Sequence, residues 1–156
     1  NFNLYFPVAR DATVAKKREY RIEELKGNGE SVMVVDDIAQ QREIAADMLT
    51  KLDYSVTTVP SGEAAIAHLK RHAADLLLLD MIMEPGLSGR ETYARILKIN
   101  PRQKAIIVSG FSETERVKEA RQLGAGAYIR KPYLMVNLAQ SVKAELMRQT
   151  GIAHQS

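Results

Sequence analysis

The stretch DLLLLDMIMEPG, residues 75–86, limits most sharply what this chain can fold into. Four consecutive leucines show no alternation of apolar and polar positions, which is how a strand covered on both faces reads. The leucines are therefore sheet core, and Asp80 stands where a central strand leaves that core. SVMVV (31–35) repeats the pattern: a brief, β-branched run that ends on acid, here Asp36 and Asp37.

The rest of the chain alternates short apolar runs with helix-period segments. Residues 38–52 place Ile44, Ala45, Met48, Leu49 and Leu52 on one helical stripe. YSVTTV (54–59) is a second strand closed by Pro60, and Ser61 is an N-cap for a helix to about His72, with Glu63 in its first turn. A helix over 89–99 stops near Pro101 and AIIVS (105–109) is a fourth strand. Ser112 caps a helix to about Leu123, and AYIR (127–130) is a short fifth strand. The last helix covers 134–148, with Leu134, Leu138, Val142 and Leu146 spaced by four. Strict alternation of this kind predicts right-handed βαβ crossovers and a parallel sheet with helices on both faces.

Composition narrows the function classes. A formal net charge of +3 over 156 residues is weak and dispersed, so neither nucleic acid nor direct membrane contact is expected; KKR (16–18) reads as a solvated linker face. The absence of cysteine excludes disulfides and thiolate metal sites. No apolar run approaches the roughly 18 residues needed to span a bilayer, and no signal peptide is visible; a cytoplasmic location is expected.

In open α/β sheets, ligands bind at the carboxyl ends of the strands. Strand 1 brings Asp36 and Asp37 there, strand 3 Asp80, strand 4 Ser109 and strand 5 Lys131. Three carboxylates in one pocket repel unless a cation intervenes, and an all-oxygen donor set points to Mg²⁺ or a similarly hard ion. A metal, an ammonium and a hydroxyl around one carboxylate make a clamp for a phosphoryl group, with Asp80 as nucleophile. Each element alone is weak, since an acid after a strand often caps the next helix. The joint placement at four strand ends is what is specific. His68 and His72, four apart, lack a third ligand nearby and read as solvent-facing.

With VVDD (34–37), LLLLDMIM (76–83), SG (109–110) and YIRKPY (128–133) in this order and spacing, the chain resembles the receiver domains of two-component response regulators over residues 31–148. The resemblance implies a flavodoxin-like, doubly wound α/β fold with five helices and a five-stranded parallel sheet of order 2-1-3-4-5. It implies phosphorylation at Asp80 by a phosphohistidine. Mg²⁺ would be held by Asp37, Asp80 and the backbone carbonyl of Ile82, with Asp36 acting largely through water. Lys131 would pair with the phosphoryl group, Ser109 would hydrogen-bond it, and Ser109 and Tyr128 would be the switch residues. A cis Lys131–Pro132 bond is expected. Helix 1, from Ile38–Gln41, would be the docking surface. Partners would be the dimerisation and phosphotransfer domain of a histidine kinase, in the same polypeptide, and a histidine phosphotransfer protein. One departure stands out: Glu84 separates Met83 from Pro85, lengthening the loop beside Asp80 by one residue.

NFNLYFP (1–7) resembles the closing strand of a histidine-kinase ATP-binding domain, which would make the chain the C-terminal receiver of a hybrid sensor kinase. Residues 8–30, with a short helix over 13–26 and GNGE at 27–30, would be the linker, and 149–156 a tail. No output domain is expected after the last helix. Two rivals stay open. A pseudo-receiver would bind partners without phosphorylation, and the Glu84 insertion keeps that reading alive. A small-molecule phosphohydrolase with an aspartate nucleophile would need an acid two residues after it, where this chain has Ile82.

Overall fold

A computed structural model describes residues 23–83, 86–110 and 115–148. Five strands, β1 (Ser31–Val35), β2 (Ser55–Val59), β3 (Leu76–Asp80), β4 (Ala105–Ser109) and β5 (Tyr128–Arg130), form one parallel sheet of order β2-β1-β3-β4-β5. Between and after them run α1 (Ala39–Lys51), α2 (Gly62–Leu69), α3 (Gly89–Ile99), α4 (Glu115–Gln122) and α5 (Met135–Met147).

The four leucines divide by parity, as the pleat requires. Leu77 and Leu79 join Met33, Val35 and Ile107 in a cluster with Ala65, Tyr93, Ile96 and Val117, from α2, α3 and α4. Leu76 and Leu78 join Val32, Val34, Ile106 and Val108 in a second cluster with Leu49, Leu138 and Val142, from α1 and α5. All four leucines are buried. Their burial contributes roughly 6–12 kcal/mol before entropy is charged against it. That margin is large enough for the strand to end on a desolvated carboxylate.

Helix boundaries follow local chemistry. The Ser61 side chain accepts from the Ala64 N–H, as expected of an N-cap. Ahead of α3, the Ser88 hydroxyl accepts from the Glu91 N–H and the Glu91 carboxylate accepts from the Ser88 N–H, a reciprocal cap worth about 1 kcal/mol. The helical stripes come out narrower than their spacing implies. Ala45 and Leu49 of α1 and Leu52 at its C-cap are buried, but Ile44 is exposed and Met48 half-buried, because both lie at the edge of the face that meets the sheet. Leu134 is exposed as well, because it precedes the first turn of α5. Expected Ser112 capping, residues 1–22 and 149–156, and Glu84 all lie outside the described residues.

Residues 23–30 lie against the pole of the sheet opposite the acidic strand ends. The Gly27 N–H donates to the Leu52 carbonyl at 2.7 Å and the Gly29 N–H to Asp53 at 2.9 Å. Leu25 packs on the cluster under α1 and α5, and Lys143 of α5 donates to the Lys26 carbonyl at 3.0 Å. Among the described residues no helix is long and apolar enough to cross a membrane.

Candidate functional site

Sheet register assembles the site. Val35 pairs with Leu79, so Asp36, the next residue, comes level with Asp80. Asp80 pairs with Val108, so Ser109 sits one residue beyond it on the neighbouring strand. Ser109 in turn pairs with Arg130, and its carbonyl accepts from the Lys131 N–H at 2.8 Å. The Lys131–Pro132 bond is cis, as expected.

Asp36, Asp37 and Asp80 each offer an oxygen within 4.8 Å of the others, the one such cluster among the described residues. Asp36 and Asp80 are buried and Asp37 is exposed. The Asp36 carboxylate is held at both ends: one oxygen accepts from the Ile38 N–H at 2.9 Å, the other from Lys131 Nζ at 3.0 Å. A turn contact two residues on, just ahead of α1, and site chemistry thus coexist in one side chain. Arg42 of α1 donates to the Asp36 carbonyl at 2.8 Å, pinning the same turn.

Lys131, with its side chain 19% exposed, lies 3.7 Å from the nearer Asp80 oxygen. Burial pushes the Asp80 carboxyl up to about 6. The Lys131 ammonium opposes this, Asp36 adds to it, the Ile82 N–H that donates to Asp80 opposes it, and Asp37 adds again. One ammonium among three carboxylates leaves the pocket under-neutralised. That imbalance, with hard oxygen donors close together, fits a divalent cation such as Mg²⁺.

The remaining expected residues take distinct places. The Ile82 side chain turns outward and is exposed, while Met81 and Met83 on either side are buried. Tyr128 is half-buried at the start of β5, opposite Ile107 and two residues below the sheet edge, and packs on the α3–α4 side. His68 and His72 stack with ring centroids 4.9 Å apart, away from the acids.

Two neighbours were not singled out from sequence. Gln41, in the first turn of α1, accepts from Lys131 Nζ; its place four residues after Asp37 is the signal that would have found it. Tyr133, after the cis bond, is half-buried, and burial followed by the charges of Asp36 and Asp80 pushes its phenol up to about 12. Beside the acids a groove of about 380 Å³ is lined by Gln41, Ile44, Met48, Lys131, Pro132 and Tyr133.

Residues 32–143 match the family model described as the response regulator receiver domain. The chain belongs to the response regulator receiver family. Chemotaxis protein CheY of Thermotoga maritima is 33% identical over 106 residues, which is 67% of this chain and 88% of that protein. Sporulation initiation phosphotransferase F of Bacillus subtilis is 28% identical, covering 75% of this chain and 94% of that protein. Against Sensory transduction protein RegX3 of Mycobacterium tuberculosis, 31% identical, this receiver spans about half the relative's length. Among solved structures, a CheY-like receiver domain from Methanospirillum hungatei superposes with a TM-score of 0.71 at 25% identity, covering 76% of this chain and 94% of that one. The receiver fold accounts for the observed strand order.

Proposed function

We propose that this receiver accepts a phosphoryl group from a phosphohistidine onto Asp80, in a Mg²⁺-dependent step, and thereby switches the surface it offers to partners. The observation that carries this reading is the buried Asp80 flanked by two further carboxylates and one ammonium at the end of the central strand. Mg²⁺ would be held by Asp36, Asp37, Asp80 and the Ile82 carbonyl, and when bound it supplies positive charge to the pocket and to the phosphoryl oxygens.

An Asp80 oxygen attacks phosphorus, the P–N bond to the donor imidazole breaks, and the imidazole leaves with the electron pair and takes up a proton. Lys131 stabilises charge on the transferred group and Ser109 donates a hydrogen bond to it. Ser109 and Tyr128 carry the change toward the β4–α4–β5–α5 face. The groove beside α1, apolar through Ile44 and Met48 and open at the site, suits docking of the helices that carry the donor histidine. Those helices belong to a histidine kinase, in the same polypeptide, and a histidine phosphotransfer protein is a second partner. We place the domain in the cytoplasm as a phosphoacceptor and not as an enzyme acting on small molecules. Ile82 occupies the position where such a phosphohydrolase needs a proton-transferring acid.

The test is transfer from a phosphorylated histidine kinase in Mg²⁺, read as label on the receiver, with Lys131→Ala beside the native chain. Both chains should carry label. The native chain alone should change its affinity for a partner on phosphorylation. A Lys131→Ala variant that switches like the native chain contradicts the role given to the ammonium.

A further inference from the structure

We infer that Gln41 is a positioning residue for Lys131, holding its ammonium beside Asp80 without letting it hydrogen-bond the nucleophile. The inference rests on the phosphoacceptor reading above and adds a residue to it. An ammonium has three donors and no acceptor, so the Gln41 amide must turn its oxygen toward Nζ. The Asp36 carboxylate takes a second donor at 3.0 Å. Asp80, at 3.7 Å, feels the charge but lies beyond hydrogen-bond distance.

Two anchors on either side of the β1–α1 turn fix the ammonium. Asp36 is itself fixed by the Ile38 N–H, and Gln41 by the first turn of α1. Remove Gln41, and the ammonium is left to two carboxylates of the same charge, the nearer of which it already bonds. It is then drawn onto Asp80, where a hydrogen bond occupies a lone pair and lowers the nucleophilicity of the attacking oxygen. With Gln41 in place, one donor stays available to the group that arrives on Asp80. Gln41 also lines the groove beside α1, so a docked partner touches the residue that sets the lysine.

The experiment measures the rate of phosphorylation by acetyl phosphate at saturating Mg²⁺. Here an Asp80 oxygen bonds phosphorus and acetate leaves with the electrons of the P–O bond. Gln41→Leu, which keeps bulk and helix propensity but removes the acceptor, should slow the reaction about tenfold, the worth of one hydrogen bond to a charged group. Gln41→Glu, which keeps an acceptor, should stay within about twofold of the native rate. In a Lys131→Met background, Gln41→Leu should have no further effect, because its action runs through the ammonium. A native rate in Gln41→Leu, or an equal slowing in the Lys131→Met background, overturns the inference and leaves the phosphoacceptor reading intact. No phosphorylation of the native chain overturns that reading, and this one with it.

Discussion

Replacing Asp80 with asparagine should abolish phosphorylation and yet make the metal-free protein more stable at pH 7.5. In the folded chain burial holds the Asp80 carboxyl at about 6, against an ordinary 3.8. Between those values the folded state binds more protons than the unfolded one, so stability falls as pH rises through the window. Above about pH 6 the cost is complete. The gap corresponds to roughly 3 kcal/mol, and the open side of the pocket screens it to an expected gain of about 1–3 kcal/mol for Asp80→Asn. The gain should shrink through pH 4 and vanish below about pH 3, where both states keep the proton. Thermal melts of the two chains at pH 7.5 and pH 3 check it. An Asp80→Asn variant less stable at pH 7.5 would mean that Lys131 and the Ile82 N–H outweigh desolvation.

The second large effect lies at Gly89, the first residue of α3 and a direct neighbour of the site. Its N–H donates to the Met81 carbonyl at 2.9 Å, drawing the helix start against the end of β3. A Cβ there would come within 2.7 Å of Met81 Cα and closer still to the main-chain oxygen of Asp80. Both are backbone atoms, so no rotamer change relieves the clash, and either α3 or the Asp80 turn must move. Gly89→Ala should cost roughly 2–4 kcal/mol by chemical denaturation and slow phosphorylation severely, since Asp80 is displaced with its main chain. A variant with native stability and native phosphorylation would show that the helix start retreats freely from the strand.

What the sequence disclosed and what it concealed have separate physical causes. Strands buried on both faces appear as short unbroken apolar runs, so β1 and β4 were legible to the residue and β3 to within one, since the strand runs on through Asp80. The acids and Lys131 were legible because a parallel sheet collects the ends of its strands on one edge. Strand order was not a product of periodicity, which leaves open which strands are neighbours; it came with the family resemblance. Stripe width misled at Ile44 and Leu134, because a spacing of four marks a face without saying how far the neighbour covers it.

Side chains that act through a neighbour were also hidden. Gln41 is an ordinary polar residue in a first helical turn until Lys131 arrives from 90 residues away. Glu145 in α5 is buried with Arg148 as its partner, in space that Gly126 leaves by having no side chain, and nothing in the helix pattern marked it.

The most direct measurement is the intact mass of the native chain after incubation with acetyl phosphate, with and without Mg²⁺, beside Asp80→Asn. The expected result is a single phosphoryl adduct that requires Mg²⁺ and is absent from the variant. An unmodified native chain, repeated with a phosphorylated histidine-kinase donor and still unmodified, would contradict the phosphoacceptor assignment and leave a receiver that binds its partners without phosphorylation.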